Sequence, residues 1–95
     1  MADVLQPDAL QTALGDLDGW QGTVDAGIAK SYTFGDFAGS MGFVNRVAEI
    51  AEDANHHPDI TISWNTVELV IISHSAGGVT QDCVALAQRI DREAA

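Results

Sequence analysis

Cysteine is nearly absent from this 95-residue chain. Cys83 stands alone, so no internal disulfide can form and no thiolate cluster is available to a metal. Basic residues are almost as scarce: Lys30, Arg46, Arg89 and Arg92 face 14 acidic residues, and the formal net charge is −10. Such a surface repels phosphate backbones and argues against a nucleic-acid partner. It serves solubility without requiring an acidic-tail function. No apolar run approaches the ~20 residues of a membrane helix. The opening Met1-Ala2-Asp3-Val4 has neither the basic nor the apolar region of a secretory signal. These absences set the expectation of a cytoplasmic protein without a membrane partner. What is present is apolar material, 46% of the residues, enough for a packed core in one domain spanning 1–95. A domain of this size buries only about 60–65% of the surface its unfolded chain exposes. Association into a homodimer or homotetramer is therefore expected.

The periodicity alternates between helix-like and strand-like stretches, with no internal repeat. Pro7 suits a first helical position, and Leu10, Ala13, Leu14 and Leu17 follow at helical spacing. Trp20 opens a less regular stretch with edge-strand character. Ile28, Lys30, Tyr32 and Phe34 alternate with smaller residues, which is a strand pattern. Asp36 reads as the N-cap of a long helix whose apolar stripe is Met41, Val44, Val47, Ala48, Ala51 and Ala54. Pro58 ends that helix. Ile60, Ile62 and Trp64 alternate on a third strand, with Trp64 read as core, and Val67 to Ser73 form a fourth. Asn65-Thr66 is the expected hairpin turn. Gly77-Gly78 breaks the fourth strand. Thr80 then caps a last helix with Cys83, Leu86, Ala87 and Ile90 on one face, Val79 and Val84 forming a hydrophobic staple, and Asp82 in the first turn. The order α-β-β-α-β-β-α predicts an α+β two-layer sandwich, a four-stranded antiparallel sheet with helices on one face.

All three histidines fall within positions 56–74. Glu52 and His56 are four apart, so the helix would set both on one face at its C-terminal end, where Glu52 can orient the ring. His57 leaves the helix in the turn forced by Pro58. The hairpin returns the chain by about as many residues as it advances, which brings His74 to the same sheet edge, and Gly77-Gly78 beyond it lets backbone approach a flat ligand. Three imidazoles around one pocket suit a reaction that moves protons in both directions near neutral pH. Taken singly, each histidine also has a plain structural reading, and Asp82 reads as a helix-start charge rather than an acid catalyst. Zinc is a further possibility for three histidines. Adjacent histidines at a helix end present no shared ligand face, however, and no second carboxylate or thiol is spaced to help, so neither a metal nor a cofactor is expected.

Glu52-x-x-x-His56-His57-Pro58-Asp59, Trp64, His74 and Gly77-Gly78-Val79-Thr80 together resemble the signature of the pterin-4a-carbinolamine dehydratases. The likeness extends through Trp20, Tyr32-Thr33-Phe34, Asp36-Phe37, Phe43, Arg46-Val47-Ala48 and Leu86-Ala87-Gln88-Arg89-Ile90. The resemblance implies loss of water from a 4a-hydroxytetrahydropterin to give quinonoid dihydropterin, a step that recycles tetrahydrobiopterin. It implies catalytic His56, His57 and His74, and substrate contacts at Glu52, His56, His57, Pro58, Ser73, His74, Ser75 and Ala76. It also implies a dimer or tetramer joined by sheet edges and helix faces. Some animal members bind a homeodomain transcription factor, a role with no support in this acidic chain. Some dehydratase-like proteins serve instead as RuBisCO assembly factors, and these tend to lose the histidines that persist here. One position departs from the pattern. Where the family commonly has an aspartate, three residues after the threonine that starts the last helix, this chain has Cys83. A thiol there is expected to complete the capping box poorly, at a loss below ~1 kcal/mol. If the aspartate orients His74, its absence bears on activity.

Overall fold

The computed structural model describes residues 3–95. Helix α1 (Pro7–Gly15) starts on Pro7, whose missing N–H is free of cost in a first turn, and Leu10 is its buried anchor. It is followed by strands β1 (Gln21–Thr23) and β2 (Gly27–Thr33), helix α2 (Phe37–Ala54), strands β3 (Asp59–Ser63) and β4 (Thr66–Ile71), and helix α3 (Gln81–Glu93). The four strands form one antiparallel sheet in the order β1-β2-β4-β3. This is the α+β order the periodicity predicted. Among the described residues no helix is long and apolar enough to cross a membrane.

The register explains the layering. Ile28 pairs with Ile71, Lys30 with Leu69 and Tyr32 with Val67, and directly paired residues share a face. That face is covered by Leu10, Phe43, Val47, Ile50, Val84, Leu86, Ala87 and Ile90 from the three helices, giving one core. Each fully buried aliphatic or aromatic side chain there contributes about 1.5–3 kcal/mol. Ser31, Thr33, Thr61 and Glu68 point to the other, open face and are exposed. A polar hub ties α3 to the sheet: Asp91 accepts from Trp20 Nε1 (2.8 Å), Tyr32 Oη (2.5 Å) and Lys30 Nζ (3.2 Å). Burial, and then the bond to Asp91, push the Tyr32 phenol well above its ordinary pKa.

Four local expectations are corrected. The buried face of α2 is Ser40, Phe43, Val47, Ile50 and Ala51, whereas Ala48 and Ala54 are exposed and Met41 and Val44 only half-buried. The helix is rotated because turning Phe43 and Ile50 inward buries more apolar surface than turning alanines inward. Ser63 pairs with Thr66, so the hairpin turn is Trp64-Asn65, one residue earlier than expected. Trp64 takes a left-handed φ of 47°, rare for a bulky residue. Its side chain is 63% exposed rather than core, since a turn residue has no sheet face to bury against. Its carbonyl accepts from Ser40 Oγ at 2.7 Å, which fastens the turn to α2. Finally, β4 stops at Ile71, so strand alternation does not extend to His74.

Candidate active site

Two short segments leave the sheet and helix layers at the same end and meet the start of α3. The first follows α2. Asn55 adopts a left-handed conformation (φ 50°, ψ 43°), and the His56 N–H bonds back to the Ala51 carbonyl at 3.0 Å. This left-handed cap ends the helix before the histidines. His56 therefore departs from the helical spacing that would have set it over Glu52. The Glu52 carboxylate meets His57 Nε2 instead. The expected Glu52–His56 pair is thus replaced by a Glu52–His57 pair, with both side chains more exposed than buried.

The second segment is the turn 73–78. Ser73 and Gly78 exchange backbone bonds of 3.0 and 3.1 Å, and Ser73 Oγ accepts from the Ala76 N–H at 3.2 Å. Gly77 supplies the φ of +82° that closes the turn. Gly78 answers to a protein neighbour, because a Cβ there would lie 2.8 Å from the Val24 carbonyl and from Val4. The glycine pair therefore builds the turn, and it is His74, exposed at its tip, that is presented outward.

Between these segments and α3 lies an open cleft of about 910 Å³. His56 and His57 line one side, and His74, Ser73, Ser75 and Ala76 another. Of the residues singled out in the sequence, Glu52 and Pro58 do not line it, and Glu52 reaches it through its bond to His57. The third wall is the face of α3 formed by Asp82, Ala85, Leu86 and Arg89. Helical spacing alone puts these four on one stripe, and that is the signal in the sequence that points to Arg89. Its guanidinium is held by Asp53 (2.8 Å) and Glu93 (3.1 Å), bonds that push its pKa higher still.

Cys83 lies buried just behind that wall. The Thr80 N–H donates to Cys83 Sγ at 3.4 Å, so the thiol completes the reciprocal half of a capping box after all. The imidazole it meets is His56, with Nε2 at 3.8 Å, and not His74. Among the described residues no three His, Cys, Asp or Glu side chains are grouped as a metal site. The arrangement offers donors and acceptors for proton transfer around an open cleft.

A family model described as pterin 4 alpha carbinolamine dehydratase matches residues 3–93. A protein of Thermosynechococcus vestitus, provisionally assigned as a pterin-4-alpha-carbinolamine dehydratase, is 43% identical over 90 residues, covering 95% of this chain and 94% of the relative. One of Thermomicrobium roseum with the same provisional assignment is 44% identical over 86 residues, covering 90% and 91%. The crystal structure of a transcriptional coactivator/pterin dehydratase from Brucella melitensis superposes with a TM-score of 0.89 at 33% identity, over 98% of this chain and 100% of that one. A pterin dehydratase-like RuBisCO assembly factor of the alpha-carboxysome shares the fold alone. Its TM-score is 0.62 at 24% identity, over 77% of this chain and 83% of that one.

Proposed function

The chain belongs to the pterin 4 alpha carbinolamine dehydratase family, and we propose that it removes water from a 4a-hydroxytetrahydropterin to give the quinonoid dihydropterin. The observation that carries this reading is the convergence of imidazoles from two separate segments on one cleft, His56 and His57 after α2 and His74 from the 73–78 turn. The cleft is of a size that takes a small ligand.

The elimination needs two proton movements. A proton goes to the 4a oxygen, which leaves as water, and one departs from the adjacent ring nitrogen, N5. The N5 electron pair closes the carbon–nitrogen double bond as the carbon–oxygen bond breaks, so the step balances without an oxidant or reductant. His56 and His74 form the proton-transfer pair. His57, oriented by Glu52, polarises the leaving hydroxyl. The Ser73–Ala76 backbone and hydroxyls and the Pro58 turn shape the seat of the flat ring. Stopped-flow measurement on enzymatically generated 4a-hydroxytetrahydropterin tests this. The wild-type protein is expected to exceed the buffer rate clearly. Equal rates for wild type, His74→Ala and buffer would sink the dehydratase reading.

The protein works as a homo-oligomer in this reading. Edge strand β3 is exposed throughout and carries Ile60 and Ile62 at 36% and 38% exposure, with Phe37 and Trp64 exposed on the adjoining segments. An apolar edge of this kind favours pairing with another chain. A light-scattering mass equal to the 10.0 kDa monomer would contradict it. The free thiol at Cys83 suits a reducing compartment, the cytoplasm.

A further inference from the structure

Cys83 is fully buried, and its sulfur has three polar neighbours. The Thr80 N–H lies at 3.4 Å, Thr80 Oγ1 at 3.5 Å and His56 Nε2 at 3.8 Å. A backbone N–H can only donate, so that bond occupies a lone pair of the sulfur and leaves the thiol hydrogen for the other two. A thiol donating to Nε2 requires that nitrogen to be unprotonated, which puts the ring proton of the neutral imidazole on Nδ1. A carboxylate at the same position could only accept, and would hold the proton on Nε2 instead.

We propose that Cys83 is a positioning residue for His56: its thiol fixes the ring by an S–H···Nε2 contact and leaves the protonated Nδ1 as the ring nitrogen available to substrate. This rests on the dehydratase reading for its kinetic consequence, but not for the contact itself. The partner that orients an imidazole decides its tautomer, and so decides which atom gives and which takes a proton. The other titratable or charged groups around His56 are His57 with Glu52 beside it, His74 from the 73–78 turn, and Asp82 and Arg89 from α3, Arg89 being paired with Asp53 and Glu93. Substitution at position 83 alters none of these side chains.

The test uses the full chain with ¹⁵N-labelled histidine and reads the imidazole nitrogens by long-range ¹H–¹⁵N spectroscopy, alongside kcat, KM and their pH dependence. Wild type is expected to show His56 as the Nδ1–H form. Cys83→Ser, close to isosteric and still a donor, keeps that form and most of kcat. Cys83→Ala loses the preference and lowers kcat about three- to tenfold with KM within about twofold. Cys83→Asp reverses the tautomer and moves the His56 limb of the kcat profile to higher pH. An unchanged His56 tautomer and pH profile in Cys83→Ala would overturn the proposal, as would Cys83→Ser behaving like Cys83→Ala. If the wild-type protein has no dehydratase activity, the function fails by itself while the nitrogen spectra still decide the contact.

Discussion

Helix α3 carries a polar centre near each end, and the two are built on opposite plans. Toward the C-terminus, Asp91 receives three donors from β2 and the segment before β1, and Trp20 and Tyr32 are buried around it. Roughly 13 Å back along the helix from Asp91, Asp82 faces a cleft where His57 and His74 stand exposed, with Arg89 farther along the same stripe. The first centre spends its hydrogen-bonding capacity inside the protein. The second keeps imidazole nitrogens open to whatever enters. Buried polar groups must be satisfied to be tolerated. Groups meant for a ligand must instead be oriented from behind and left free in front. The Glu52–His57 and Cys83–His56 contacts supply that support.

If the two centres are separable in this way, substitutions should divide cleanly between activity and stability. The largest expected effect is at the cleft: His56→Ala should lower the dehydration rate about 10²- to 10⁴-fold, with the melting temperature held within about 2 °C by circular dichroism. The mirror image is Asp91→Ala, which strands the Trp20, Tyr32 and Lys30 donors. It should destabilise by about 2–3 kcal/mol in urea titration, lowering Tm on the order of 10–20 °C, while the specific activity of the folded fraction stays the same. A rate loss in folded Asp91→Ala beyond about threefold would show that the two ends are coupled.

A pH experiment sharpens the same contrast. The folded state holds the Tyr32 proton more tightly than the unfolded chain, whose tyrosine ionises near pH 10. Above that pH the unfolded state binds fewer protons, so the Tyr32 contribution to stability is present below about pH 10 and is lost as pH rises toward the folded pKa. Melting curves from pH 8 to 11 should fall for wild type and flatten in Tyr32→Phe. The smallest effect is expected for Glu52→Gln. Its pair with His57 is exposed, so stability should change by less than about 0.5 kcal/mol. The rate should fall several-fold if the carboxylate orients His57, and a stability loss without a rate loss would reverse that assignment.

Much of the fold was legible in the order of residues. Pro7, the Asp36 cap, the alternation from Ile28 to Tyr32 and the α3 stripe of Cys83, Leu86, Ala87 and Ile90 are local signals, and each led to the right element. The misplacements arose where packing or a backbone turn overrode local pattern. The α2 stripe followed the sizes of Phe43 and Ile50, and Trp64 surfaced because the β3–β4 register put it in the turn.

The sequence by itself determined that three histidines would leave the sheet and helices near one another, since helix length, strand length and Pro58 set the distances along the chain. Only the tertiary structure decided which partner each one meets. The left-handed turn at Asn55 moved Glu52 from His56 to His57, and the docking of α3 set the Cys83 thiol behind His56 and not behind His74. Spacing along a chain says which residues can be neighbours. One residue of backbone outside helical geometry is enough to change which of them are.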